Sequence, residues 1–340
     1  MAETAFHGRL GFFLNMAALA AVIGFLLFLR LTYGYLPFHV FAELFAIVVF
    51  FSLFLFGWNS FHLIENGFIK FLCVSFLFVG ILDALHMMTY WGMNLFPEFG
   101  PDTPTQFWIA ARTLQAAGIL IGLFVIRKKI SRIPILLSFL AATLLLTVSI
   151  SHFNIFPPCY TEGRLTPFKI AAEYALSTGF LISLLVLFRK RDRFDRTVFY
   201  FLCASLVLTI FSEMAFTLYR EVFDILNFVG HILKIVAVYL IYRAVFEIGI
   251  RKPFNLVFKD LKAREEQLTH AVAKVKTLSG LLPICASCKR IRDDSGYWSQ
   301  VEDYITNHAE VEFSHGLCPD CFRKLAGEIN KTDTGKPEAE

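Results

Sequence analysis

Eight long apolar runs fill the first 250 residues, near 11–29, 38–57, 68–88, 105–126, 133–151, 168–188, 197–219 and 224–246. Each is long enough to cross about 30 Å of hydrocarbon as a helix. No other feature constrains the fold as strongly, because a chain in lipid must satisfy its backbone hydrogen bonds within its own helices. Composition agrees: with 56% hydrophobic and 18% charged residues, the chain has too little charge for a water-soluble surface, which would need about a quarter. The first run lacks a small-residue cleavage site before Arg30 and the Tyr33-Gly34-Tyr35 loop, so it is expected to be retained as a span rather than removed as a signal peptide. The expected fold class is an all-α polytopic membrane protein with an eight-helix bundle over residues 1–250.

Basic residues set the expected orientation. Arg127, Lys128, Lys129 and Arg132 lie between spans four and five, and Arg189, Lys190, Arg191, Arg193 and Arg196 between six and seven, which places both loops in the cytoplasm. Glu98 and Asp102 fall on the opposite side, and Arg251 with Lys252 follows span eight. An even number of spans then puts both termini in the cytoplasm, in a cell inner membrane. Trp91 and Trp108 are expected in an outer aromatic belt and Trp58 in an inner one. These loops account for the net charge of +4, so it implies no nucleic acid.

A charge in a bilayer costs several kcal/mol and is expected to face a partner or a cavity. Counted along alternating spans, His39 and Glu43, Asp83 and His86, Arg112 and Gln115, Glu173, Glu213, and His231 with Lys234 all fall toward the outer leaflet. His39 and Glu43 are an i,i+4 pair and Asp83 and His86 an i,i+3 pair, so each pair shares a helix face. Three uses are open. The group would hold a ligand, with imidazoles on a transition metal or haem iron, or with Arg112 or Lys234 on an anionic or quinone-like molecule. It would instead be structural, pairing Arg112 with Asp83 and Lys234 with Glu213. Or it would conduct ions or protons.

The segments His39-Val40-Phe41-Ala42-Glu43, Gly57-Trp58-Asn59-Ser60, Phe78 through His86, Trp91-Gly92-Met93 and Phe107 through Arg112 together resemble the third membrane-associated sensor domain family of bacteria and archaea, over about residues 10 to 250. The resemblance implies a sensory input module, usually fused to an output domain, in which Glu43, Asp83, His86 and Arg112 are family positions.

Beyond Pro253, Phe254, Leu261, Leu268, Val275 and Leu282 recur every seven residues, with Phe258 and Val272 at the second seam position and Glu265 and Ser279 interrupting it. This predicts a coiled-coil linker over 251–282 and a homodimer; the alternative is one amphipathic helix on the inner leaflet. Cys285-x-x-Cys288 and Cys318-x-x-Cys321, separated by 29 residues, read as a structural Zn2+ site in a reducing compartment, with His308 and His315 in reserve. Trp298, Val301, Tyr304 and Ile305 recur at helical spacing, so a small treble-clef-like zinc-knuckle domain is expected over 283–326, followed by a disordered tail at 327–340. Residues 278 to 325 closely resemble a tail attached to many bacterial two-component and sensor proteins, which implies a signalling context.

No phosphate-binding glycine loop and no Gly-Gly-Asp-Glu-Phe run is present, so no enzyme is expected. The reading is a dimeric sensor that binds a small molecule or cofactor in its outer polar pocket and signals through the coiled coil and zinc module to a cytoplasmic partner. The alternative is a haem- or metal-binding redox or transport protein whose tail serves assembly.

Overall fold

A computed structural model describes residues 2–218, 224–246, 252–275, 282–293, 295–308 and 311–332. The chain divides into two compact units, Met1–Asn255 and Leu256–Glu340.

In the first unit every apolar run is a helix: α1 (Ala2–Thr32), α2 (Tyr35–Asn59), α3 (Gly67–Thr89), α4 (Asp102–Phe124), α5 (Arg132–Ser151), α6 (Pro167–Arg189), α7 (Arg196–Leu218) and α8 (Ile225–Phe246). All eight are long and apolar enough to cross a membrane, and the chain is an all-α polytopic membrane protein. Local chemistry sets the ends. Gly34 takes φ +90° between α1 and α2, a conformation open to glycine at little cost. Asn66 caps α3 by accepting the Phe68 N–H at 2.9 Å. Thr166 caps α6 by accepting the Lys169 N–H at 3.2 Å, with Pro167 at the first helical position.

Six helices close a ring by successive packing of α2 on α3, α3 on α4, α4 on α6, α6 on α7, α7 on α8 and α8 on α2. Helices α1 and α5 stay outside it, α1 against α2 and α5 against α3 and α4. Their outward faces, with Phe13, Leu14, Leu31, Leu144 and Leu145 exposed, suit contact with lipid. At the end carrying the basic loops, Lys190 Nζ donates to the Leu123 carbonyl at 2.6 Å, and the Arg132 guanidinium lies 4.4 Å from the Trp58 ring centre.

Helices α2 and α3 approach closely where Gly57 meets Cys73. A Cβ at Gly57 would lie 2.2 Å from Cys73 Cβ and 2.7 Å from its Sγ. Gly57→Ala is therefore expected to destabilise the bundle by roughly 1–3 kcal/mol through overpacking, seen as a lower thermal unfolding midpoint in detergent. Adding Cys73→Gly should restore part of the loss. An unchanged midpoint in the single variant would contradict this close approach.

The division between units falls within α9 (Lys252–Val275). Leu261, Leu268 and Val272 are exposed on it. The expected heptad run ends sooner than its spacing suggests: Leu282 is not helical, and Arg251 and Ser279 lie outside the described residues. The rest of the second unit holds a hairpin of β3 (Ile291–Arg292) and β4 (Trp298–Ser299), then α10 (Val301–His308) and α11 (Pro319–Thr332). Trp298, expected on a helix, is on β4 instead. Asp293 Oδ1 accepts the Ser295 hydroxyl at 2.7 Å and the Tyr297 N–H at 2.9 Å, and Gly296 takes φ +90°, so the chain reverses before the helix begins. These bonds hold the Asp293 carboxyl below its ordinary range. Helix α11 extends to Thr332, past the expected boundary at 326, and 333–340 lie outside the described residues.

Candidate functional site

The ring places polar side chains inside it at the end that carries the α1–α2, α3–α4 and α5–α6 connections. They are His39 and Glu43 from α2, Asp83 and His86 from α3, Arg112 and Gln115 from α4, Lys169 and Glu173 from α6, Glu213 from α7, and His231 and Lys234 from α8, none more than 6% exposed. All ten residues expected to face inward do so, and the ring explains why α1 and α5 contribute none.

Ion pairs hold the cluster. Arg112 Nη2 donates to both Asp83 oxygens at 2.5 and 2.6 Å, and its Nη1 donates to Gln115 Oε1. Lys234 Nζ bridges two carboxylates, 2.6 Å from Glu43 Oε2 and 3.1 Å from Asp83 Oδ2. The expected Lys234–Glu213 pair is thus replaced, because α8 packs on α2 and brings Lys234 to Glu43. Trp108, expected in the lipid belt, is 4% exposed, with Lys234 Nζ 4.5 Å and the Arg112 guanidinium 4.7 Å from its ring centre. Its π face supplies attraction that the dry interior does not screen. Trp91 is exposed, as a belt residue should be.

The histidines form a second layer. His86 Nδ1 lies 2.7 Å from the Pro104 carbonyl, and His86 Nε2 lies 3.3 Å from His39 Nε2. Tyr90 stacks on the His39 ring at 3.7 Å between centres. His231 Nδ1 stands 3.0 Å from Glu43 Oε1.

Lys169, which sequence reasoning missed, donates to the Phe216 carbonyl at 2.5 Å and pairs with Glu173 at 2.9 Å. Its i,i+4 relation to Glu173 was the available signal. Glu173 lies within hydrogen-bonding reach of Glu213, a bond that requires a proton on one of the two carboxyls.

A cavity of about 50 Å³ reaches this cluster, with His39, His86, Tyr90, Trp108, Lys169 and His231 in its wall. Pockets for small organic molecules measure about 300–1,000 Å³. This one, as it stands, has room for an ion, a water or two, or a diatomic molecule. Tyr160 at its rim belongs to the hairpin of β1 (Tyr160–Thr161) and β2 (Arg164–Leu165). Asp102 Oδ1 pins that hairpin by accepting the Cys159 and Tyr160 N–H groups at 2.6 Å each. Burial and the neighbouring Asp102 push the Cys159 thiol up to about 12.

In the second unit each cysteine pair is locally organised. The Cys285 N–H donates to the Arg290 carbonyl at 2.8 Å and the Lys289 N–H to the Cys285 carbonyl at 3.0 Å, with Lys289 at φ +61°. Backbone N–H groups of Cys288 and Ser287 hold the Cys285 thiol below its ordinary range. The Cys318 sulfur accepts the Cys321 N–H at 3.4 Å at the start of α11, which lowers its thiol likewise. Among the described residues, His39, Glu43 and His231 are the one group of three or more His, Cys, Asp or Glu whose donor atoms all lie within 4.8 Å of one another, so no three of the four cysteine sulfurs do. His308 donates from Nδ1 to the Tyr304 carbonyl at 2.7 Å within α10.

A closed ring of membrane helices around a buried ionic cluster, opening to a small cavity, defines an integral membrane protein with an internal polar site. The chain belongs to the MASE3 family, described as a membrane-associated sensor domain, which matches residues 31–253. The match starts near the end of α1, later than the expected limit near residue 10. No curated protein and no solved structure matches the chain.

Proposed function

We propose that the chain is a signal-transducing membrane sensor whose input is a small ligand bound at the cavity lined by His39, His86, Trp108, Lys169 and His231. One observation carries this reading: an ionic cluster drawn from all six ring helices opens to a cavity whose wall keeps the buried His39 Nδ1 and Trp108 Nε1 without a hydrogen bond. A cluster that served packing alone would be expected to satisfy them. Ion pairs link α2, α3, α4 and α8, so a ligand that competes for Glu43 or the histidines alters contacts of α2, α3 and α8 together. Chain order then leads from α8 to α9, where exposed Leu261, Leu268 and Val272 suit pairing with a second copy. The double cysteine module, closed by Zn2+, is the proposed contact for a cytoplasmic signalling protein. In this reading the basic loops face the cytoplasm of an inner membrane, the cavity faces outward, and no reaction is catalysed.

A photocrosslinking residue in place of Leu268 tests the proposal in full-length protein in lipid nanodiscs. Covalent dimer is expected, with a yield that changes at least twofold when His231 becomes Gln. Monomer alone, or a yield indifferent to His231 and Asp83 substitutions, would overturn it.

A further inference from the structure

The proton positions of the histidine layer follow from its acceptors. The Pro104 carbonyl can only accept, so His86 carries its proton on Nδ1, 2.7 Å away. In a neutral ring His86 Nε2 is then an acceptor, and the contact at 3.3 Å obliges His39 to donate from Nε2. His39 Nδ1 is left with a bare lone pair, buried and without a hydrogen bond. Glu43 Oε1 and His231 Nδ1, also buried, stand 3.0 Å apart, a contact that a proton on Nδ1 bridges as a hydrogen bond and that an ion would bridge as two ligand bonds. One donor atom from each of these three residues falls within a 4.8 Å group. Two ligand atoms at about 2.0–2.2 Å from one ion stand about 2.8–3.1 Å apart when they subtend a right angle and about 3.3–3.6 Å apart in a tetrahedron, and the Glu43–His231 contact of 3.0 Å fits the former.

We infer that His39 Nδ1, Glu43 Oε1 and His231 Nδ1 bind a divalent first-row transition-metal ion, the set of two imidazoles and one carboxylate that leaves positions open for water or a diatomic ligand. The surroundings suit that role. His86 accepts the remaining N–H of His39 and fixes its ring, as partners of metal-bound histidines do. Lys234 holds Glu43 Oε2 at 2.6 Å and turns Oε1 toward the histidines; both are positioning residues. His39 and His231 line the cavity of about 50 Å³, which admits an ion with its water.

This inference rests on the sensory reading of the same cavity and names its ligand class. Full-length protein in nanodiscs, stripped with chelator and titrated with Co2+, separates this site from the cysteine module, because thiolate-bound Co2+ shows sulfur-to-metal charge-transfer bands and a nitrogen–oxygen site does not. One equivalent with only ligand-field bands is expected. It should bind at least tenfold more weakly in His231→Gln and in His39→Gln, and about 10–100-fold more weakly in His86→Asn, with monodisperse protein in each case. No such equivalent, or one undiminished in both ligand variants, overturns the metal site. If the metal site fails while the Leu268 crosslink still responds to Asp83→Asn, the sensory reading stands with a different ligand; if the crosslink is also indifferent, both fall.

Discussion

Replacing Asp83 by Asn should destabilise the bundle by about 3–5 kcal/mol, the cost expected when one member of a buried ion-pair group is removed. Asp83 is fully buried and accepts from Arg112 at 2.5 and 2.6 Å while standing 3.1 Å from Lys234. Asn keeps the volume and shape, so packing does not confound the result. What changes is charge, since Lys234 then keeps Glu43 as its one carboxylate partner and Arg112 has none in direct contact. The effect should appear as a lower midpoint of thermal unfolding in detergent, with far-ultraviolet circular dichroism following the helices. Asp83→Asn with Arg112→Gln should recover part of the loss, because the pair then leaves together. An Asp83→Asn midpoint equal to that of the parent protein would mean that water reaches and solvates these charges.

The helices and the depth of the polar layer were legible in the sequence because both depend on one coordinate, distance along the chain. A run of apolar residues sets a span, and a rise of about 1.5 Å per residue sets a level. Partner choice depends on how each helix is rotated and which neighbour it meets, and the sequence does not state that. Lys234 and Glu213 share a level, yet the closure of α8 onto α2 gives Lys234 to Glu43. Trp108 has the composition of a belt residue, and only its rotation into the ring makes it a platform for Arg112 and Lys234. Lys169 sits two residues after the Pro167 that starts α6, where a lysine would ordinarily reach toward the membrane surface; it turns inward because the Phe216 carbonyl and Glu173 await it. The Pro104 carbonyl, which fixes the His86 tautomer, is a backbone group and leaves no trace in residue type.

Removing zinc from the proposed cysteine module should unfold residues 283–332, and this is the largest effect expected anywhere in the chain. Structural zinc sites of this size contribute about 10–16 kcal/mol of apparent binding free energy near neutral pH, whereas the module's own apolar burial is slight: Trp298, Val311, Phe313, Leu317, Phe322 and Leu325 are all exposed. The half-sites are already prepared for metal. Backbone N–H groups directed at the Cys285 and Cys318 sulfurs favour the thiolate, the form that binds metal, and α11 begins at Pro319, inside the second pair. No three of the four sulfurs lie within 4.8 Å of one another, so in this proposal the ion would supply the free energy that draws the halves together. Full-length protein should contain about one zinc bound by sulfur per chain, and chelator should raise amide exchange across 283–332 while leaving α2 to α8 protected. Cys288→Ser with Cys321→Ser should reproduce the chelated pattern without chelator. Exchange in 283–332 that is indifferent to both treatments would show that the cysteine pairs fold without metal and would remove zinc from the output module.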